Sequence, residues 1–338
     1  MRLRIVLTAV VLLLAGTAFL AQGPRREAGA NNPAPAERPK DAIQGKPLTI
    51  DVDLVNVDIV VRDKNGTLVG GMQRSDFKIF DDGVEQTITS FGANDAPLTV
   101  VVMFEFSKTL VYYLDDVFTP IIGFVSSLQE NDWAALVKVD LHTEIMTDFT
   151  KNKDQLFRGL QDLRFATYNE VVLFDAVDEV LGRLQKIDGK KAIFIVATGF
   201  DTISKKTYGE VLKKAEGSDT MIYAVSMGQL FRLYTENARS PMDNIAFLAA
   251  DNHLRSLAEA TGGEAFYPRF SAEYGDIYDN ISKQLRHQYS IAFAPTNLKK
   301  DGKFHKLRVE VPDLDLNKDG KKDGLKARHK KGYYAPKS

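Results

Sequence analysis

The chain has 338 residues, of which 44% are hydrophobic and 26% are charged, an ordinary composition for a globular protein. At about 100–200 residues per domain, this length predicts about two domains. The formal net charge of −1 gives no indication of a nucleic-acid partner. Because the chain contains no cysteine, disulfide frameworks, thiolate metal sites and a cysteine nucleophile are excluded.

The N-terminal segment has the pattern of a secretory signal peptide. Two arginines precede an uncharged apolar run, and small residues cluster near the end of that run. We predict a signal peptide over residues 1–21, cleaved after Ala18 or Ala21, and a flexible linker over 22–46. We therefore predict that the protein is secreted or periplasmic and has no membrane span after cleavage. The alternative is an uncleaved N-terminal anchor.

The rest of the chain changes pattern twice. Residues 47–94 and 289–338 predict β-strands, the last of them over 325–334, separated by Gly-containing turns. Residues 95–288 alternate apolar runs such as LTVVVMFEF with amphipathic helices, which predicts an α/β domain with a doubly wound, mostly parallel sheet. Neither terminal set of strands is complete. We therefore predict one small β-sandwich, formed by both sets, into which the α/β domain is inserted.

Short motifs on both sides of the α/β segment carry a resemblance to a known family. They are Asn65-Gly66, Val69-Gly70, Asp76-Phe77 and Asp82-Gly83 before it and Gly332-Tyr333-Tyr334 after it. With the α/β pattern, these residues resemble the VWFA-related proteins of bacteria, which are built around a von Willebrand factor A (vWA) domain. The resemblance covers the chain after the linker, and it implies a domain that binds other molecules at the carboxyl ends of its strands.

The resemblance also implies a divalent cation, Mg²⁺ or Mn²⁺, at that end of the sheet. Domains of this type usually bind it through an Asp and two hydroxyls of a first loop, a Thr of a second and an Asp of a third. Here the first loop offers Glu105, Ser107 and Thr109. The Thr position falls on Val171, and the run 197–199, Ala-Thr-Gly, has lost the Asp.

Two interpretations of this degenerate metal-ion-dependent adhesion site remain open. In the first, the loop keeps its shape without the ion, and Ser107 and Thr109 cap the following helix. In the second, a modified cation site uses Glu105, Ser107, Thr109 and Asp201. Lys108 opposes the second interpretation, because it adds a positive charge next to Glu105.

Residues 315–323 have the spacing of the first half of a calcium loop. Asp315, Asn317 and Asp319 place acidic or amide oxygens at alternate positions, and Asp323 follows them. A lysine stands where the last, bidentate acid of such a loop is expected. The alternative to a Ca²⁺ site is a solvated hairpin tip, since Asn, Asp and Gly are also the common turn residues.

No catalytic motif is present in the sequence. It contains no dinucleotide-binding or P-loop glycine pattern and no G-x-S-x-G, and its five histidines, which we interpret as surface or strand residues, lack metal-binding spacing. We predict an exported, non-enzymatic protein-interaction or adhesion module that binds an unidentified protein or cell-envelope ligand at the strand ends. The alternatives are a hydrolase using Ser107 with Glu105, and a structural subunit of an envelope or secretion assembly.

Overall fold

The computed structural model describes residues 54–92, 97–108, 110, 113–161, 163, 166–229, 232, 241–297, 299–312, 314 and 322–337. Asp51–Ser338 forms one compact unit. The predicted signal peptide and linker lie outside the described residues. In the part of the chain that is described, no helix is both long enough and apolar enough to cross a membrane.

The described residues form 14 β-strands and six α-helices. In chain order they are β1 (Val55–Arg62), β2 (Lys78–Asp81), β3 (Val84–Gln86), β4 (Ile88–Gly92), β5 (Leu98–Glu105), α1 (Leu114–Ser127), β6 (Trp133–Val139), β7 (Thr143–Thr150), α2 (Lys153–Gln161), α3 (Leu173–Leu184), β8 (Lys190–Ala197), α4 (Tyr208–Glu216), β9 (Met221–Ser226), α5 (Pro241–Thr261), β10 (Ala265–Phe266), α6 (Glu273–Arg286), β11 (Gln288–Phe293), β12 (Phe304–Glu310), β13 (Lys326–His329) and β14 (Gly332–Tyr334).

The largest sheet has six strands in the order β10-β9-β8-β5-β6-β7. Its strands are parallel except for β7, an edge strand antiparallel to β6. Every residue of β5, β8 and β9 is buried, as expected where helices cover both faces of a parallel sheet. The apolar runs of the sequence predicted these central strands correctly, and the α/β class is confirmed.

Side chains of β5 alternate between two separate core clusters, one on each face of the sheet. Val102 lies in the cluster that contains Phe124 of α1 and Tyr278 of α6. Met103, its neighbour, lies in the cluster that contains Val177 of α3. Because successive side chains of a strand point to opposite faces, helices pack on both sides of the sheet.

The remaining strands form two four-stranded sheets with a shared core. One has the order β13-β1-β11-β4 and the other β14-β12-β2-β3. Ile59 and Tyr289 of the first sheet and Ile79 and Val309 of the second pack in the same apolar cluster. Each sheet combines strands from both ends of the chain, so the predicted sandwich, with the α/β layer inserted between its halves, is confirmed.

Polar contacts connect this sandwich to the α/β layer. Arg62 of β1 and Arg328 of β13 both contact the Glu264 carboxylate next to β10, at 2.9 and 2.7 Å. The buried Lys190 Nζ at the start of β8 donates to the Gln288 carbonyl, 3.0 Å away. Since α6 ends only two residues before β11 begins, these contacts fix the return of the chain from one layer to the other.

The prediction of one strand over 325–334 is wrong. The segment divides into β13, which pairs with β1, and β14, which pairs with β12 of the opposite sheet. The buried Lys330 lies at the crossing. A Cβ on Gly332 would lie 2.1 Å from the His305 carbonyl oxygen, so only glycine allows β14 to approach β12 this closely. The sequence analysis also missed α2 and the first half of α5.

Two glycines, Gly262 and Gly263, end α5. Gly262 has a φ of +83°, the left-handed conformation common after the last helical turn. Gly263 then passes so close to β9 that an added Cβ would lie 1.8 Å from the Ile222 carbonyl oxygen. The helix can therefore turn directly into β10 beside β9.

We expect Gly263→Ala to destabilise the protein by about 2–4 kcal/mol, because backbone has to move to accommodate the methyl group. Urea unfolding followed by circular dichroism measures this change. Gly209→Ala on α4 is the matched control. It has no atom within 4 Å of its added Cβ, and it should be neutral or slightly stabilising. Equal effects of the two substitutions would contradict the close approach.

Candidate functional site

The carboxyl ends of β5 and β8 bring Glu105 and Thr198 together. Both side chains are buried. One carboxylate oxygen of Glu105 accepts a hydrogen bond from the Ser107 hydroxyl at 2.7 Å. The other accepts from the Thr198 backbone N–H at 2.8 Å and from the Thr198 hydroxyl at 2.6 Å. Glu105 therefore closes the space between the two strand ends with hydrogen bonds inside the protein.

The electrostatics of Glu105 follow from this burial. Burial raises the pKa of its carboxyl, and the hydrogen bonds from Thr198 and Ser107 oppose that rise without cancelling it. No cationic group contributes to the balance. The carboxyl thus holds its proton more readily than an exposed glutamate does.

The other residues predicted for the cation site have separate roles. The carboxylate of Asp201 accepts from the backbone N–H groups of Phe174, in the first turn of α3, and Ser204, at 3.2 and 3.1 Å. Val171 is buried and offers no side-chain oxygen. Ser107 donates to Glu105 instead of capping α1, whose N-cap residue is Tyr113. Thr109 lies outside the described residues.

These residues do not fit a hard divalent cation. Mg²⁺ needs a near-octahedral shell of oxygen ligands with free lone pairs directed at the ion. Here Val171 offers no side-chain oxygen, and Thr198 stands in place of the second acid. Asp201, the other carboxylate predicted for the site, is bonded to the backbone N–H groups of Phe174 and Ser204. Thr198, where domains of this type usually have Asp, is the residue whose role the sequence analysis missed. The sequence shows that the Asp is absent, but it does not show that Thr198, which replaces it, is the hydrogen-bond partner of Glu105.

Ser107 is poorly placed as a nucleophile. Its side chain is buried at the end of β5, so the hydroxyl is not accessible to a substrate. Among the described residues, no histidine is hydrogen-bonded to it. An activated serine needs a neighbouring base and room for a substrate, so this geometry does not support hydrolysis.

The predicted calcium loop is described only in part. Asp315, Asn317 and Asp319 lie outside the described residues. Asp323 is buried, and its backbone is hydrogen-bonded to the carbonyl of Leu314 and the N–H of Lys64, both at 2.9 Å. The Ca²⁺ site over 315–323 stays a prediction.

Exposed apolar side chains follow the carboxyl ends of the strands. Met242, Ile245 and Leu248, spaced three residues apart on α5, are 73%, 64% and 56% exposed. Ile203, after β8, and Phe270, after β10, are 49% and 63% exposed. We call these five residues the apolar rim. Exposed large apolar side chains at the end of the sheet where open α/β domains bind ligands are candidates for a binding surface.

Contacts beneath the apolar rim fix α5 to the sheet. The rings of Phe200, after β8, and Phe247 are 4.9 Å apart. The buried Asp251 accepts a hydrogen bond from the Ser226 hydroxyl at the end of β9, at 2.7 Å, and pairs with Arg232 at 2.9 Å. The exposed face of α5 is therefore presented by a packed helix.

No family model matches the sequence, and no curated protein matches it. Solved structures do match. The conserved hypothetical protein BatB from Bacteroides thetaiotaomicron has 14% identity and a TM-score of 0.40, over 55% of this chain and 98% of its own. The vWF domain of the pilus tip protein Mfa5 from Porphyromonas gingivalis has 12% and 0.44, over 56% and 95%. A von Willebrand factor type A structure from Catenulispora acidiphila has 8% and 0.46, over 81% and 73%.

The α/β layer has the doubly wound sheet with helices on both faces that the resemblance implied, with the antiparallel strand β7 at one edge.

We expect Glu105→Gln to gain stability relative to the wild type as the pH rises. The pKa of Glu105 is raised in the folded state. At a pH just above 4.5, the usual pKa of a glutamate, folding therefore takes up a proton. The free energy of unfolding of the wild type therefore falls as the pH increases towards the folded-state pKa. The glutamine variant has no titrating group at this position, so its free energy of unfolding lacks this decrease. The difference should grow by about 1.4 kcal/mol for each pKa unit of the shift.

Urea unfolding of both proteins at several pH values between 4 and 8 measures this difference. Glu210→Gln on α4 is the control with the opposite sign. Hydrogen bonds from Thr207 lower the pKa of Glu210, so the wild type should gain on that variant as the pH rises. A pH-independent difference between wild type and Glu105→Gln would contradict the buried, shifted carboxyl.

Proposed function

We propose that this protein is an exported, non-enzymatic protein-interaction module of the vWA type that binds its partner through the apolar rim, without a cation. The observation that carries the proposal is the exposure of the five apolar side chains at the carboxyl ends of the strands. Open α/β sheets place their ligand sites at this end. The signal-peptide pattern of residues 1–21 supports a secreted or periplasmic location.

The closed Glu105 cluster supports the cation-independent part of this proposal. In the cation-dependent mode, an acidic group of the partner completes the coordination of the bound ion. Here the carboxylate that would hold the ion is already bonded to Ser107 and Thr198. The partner surface should instead be apolar, since burying side chains such as Ile245 and Phe270 against it gives about 25 cal/mol per Å² of apolar area removed from water.

Polar substitutions on α5 test the docking surface. We expect Ile245→Ser with Leu248→Ser to lose the partner that the wild type captures from the native envelope fraction, because a polar surface no longer gains from burial. Ile122→Ser is the matched control, since Ile122 is also an exposed isoleucine on a helix, α1. The same partner should be captured in EDTA. Equal capture by all variants would contradict a role for the apolar rim.

Calorimetry tests the absence of a cation directly. We expect no heat of binding when Mg²⁺ or Mn²⁺ is titrated to millimolar concentration into the wild-type protein. The triple variant Glu105→Asp, Val171→Thr and Thr198→Asp restores the usual ligands and is the positive control, provided that circular dichroism shows it folded. A heat of binding that the wild type shows and the Glu105→Gln variant lacks would overturn the cation-independent mode.

A further inference from the structure

A second group of ligating side chains lies in the β-sandwich, away from the strand ends of the α/β layer. It consists of Asp81 at the end of β2, Asp82 in the turn to β3, and His305 on β12. One ligand atom from each residue lies within 4.8 Å of the other two. Among the described residues, it is the only group of three or more His, Asp or Glu side chains gathered this closely.

The imidazole nitrogen of this group faces both carboxylates. His305 Nδ1 lies 3.3 Å from an oxygen of Asp81 and 3.2 Å from an oxygen of Asp82. Charge-assisted N–H···O hydrogen bonds are shorter, about 2.7–2.9 Å, so both distances are long for such bonds. A zinc ion with bonds of about 2.0–2.2 Å in a tetrahedral shell places its ligand atoms about 3.3–3.6 Å apart. The two distances from His305 are close to the edges of such a shell, and the two aspartate oxygens lie within 4.8 Å of each other.

The second oxygen of each carboxylate is held by a donor outside the group. The Tyr333 hydroxyl donates to Asp81 at 2.8 Å, and the Lys306 backbone N–H donates to Asp82 at 2.9 Å. The Tyr333 ring also stacks on the His305 ring, with 5.2 Å between centroids. Donors of this kind orient metal ligands in proteins, and here they leave one oxygen of each aspartate directed at His305.

We propose that Asp81, Asp82 and His305 form a zinc site. One imidazole and two carboxylates are a donor set that suits zinc, whereas Mg²⁺ and Ca²⁺ take oxygen ligands. The ion also neutralises two carboxylates, one of which, Asp81, is buried. The Asp82 side chain is 52% exposed, so a water molecule can reach the fourth position.

A zinc ion here would join a strand from the N-terminal part of the sandwich to a strand from its C-terminal part. Asp81 and His305 are 224 residues apart in sequence and belong to strands that pair with each other. The unfolded chain rarely brings these residues together, because closing so long a loop costs conformational entropy. The ion therefore binds only the native arrangement, and this binding stabilises the fold. This inference does not rest on the proposed docking function, and either one can fail without the other.

Zinc titration of the purified, metal-free protein, carrying no histidine tag, tests the proposal. We expect one Zn²⁺ per chain with a Kd of about 1 µM or tighter. At a hundredfold excess over Kd, the midpoint of thermal unfolding should rise by about 5 °C or more. Co²⁺ in place of Zn²⁺ should give the visible absorption of a four-coordinate ion, and Mg²⁺ should give neither effect.

Variants locate the ion. His305→Ala and the exposed Asp82→Asn should each weaken Zn²⁺ binding at least tenfold, and Asp82→Asn covers the case in which His305→Ala does not fold. His287→Ala, which removes a histidine at the end of α6, is the matched control and should bind as the wild type does. Absence of Zn²⁺ binding, or binding that survives both His305→Ala and Asp82→Asn, would overturn the proposal.

Discussion

The pairing of β1 with β11 and β13 is the constraint on which the joining of the two layers depends. The apolar residues Val57, Ile59 and Val61 of β1 are completely buried, and both strands that flank them come from the far end of the chain. The α/β layer therefore begins and ends at the same sandwich. Its own core does not depend on the sandwich strands for sheet pairing, because all six strands of its sheet lie between residues 98 and 266.

One additional methylene group changes the chemistry of the strand ends. An aspartate at position 105 is too short to reach the position that Glu105 reaches, where its carboxylate accepts two hydrogen bonds from Thr198. The acid of the loop after β5 is thus part of the interior. In the proposed cation-independent mode, the apolar side chains around Ile245 are the features of this end that suit a partner.

Periodicity and turn residues predicted the elements that local sequence determines. The apolar runs gave β5, β8 and β9, and the unpaired strands at the two ends of the chain gave the sandwich. What local sequence could not predict depends on register between distant strands. Thr198 meets Glu105 only because β8 lies beside β5, and His305 was interpreted as an ordinary strand residue until the pairing of β12 with β2 placed it against Asp81. The division of 325–334 into two strands depends likewise on Gly332 meeting β12.

The order in which the chain is synthesised gives β1 a particular difficulty. Its first partner, β11, begins 233 positions after β1 begins, and the second sheet is complete only with Tyr334. A growing polypeptide therefore carries this apolar strand without its sheet partners until β11 has been synthesised. Contacts this distant in sequence form slowly. Any chaperone that accompanies the nascent protein has to shield the β1 segment for the whole of that interval.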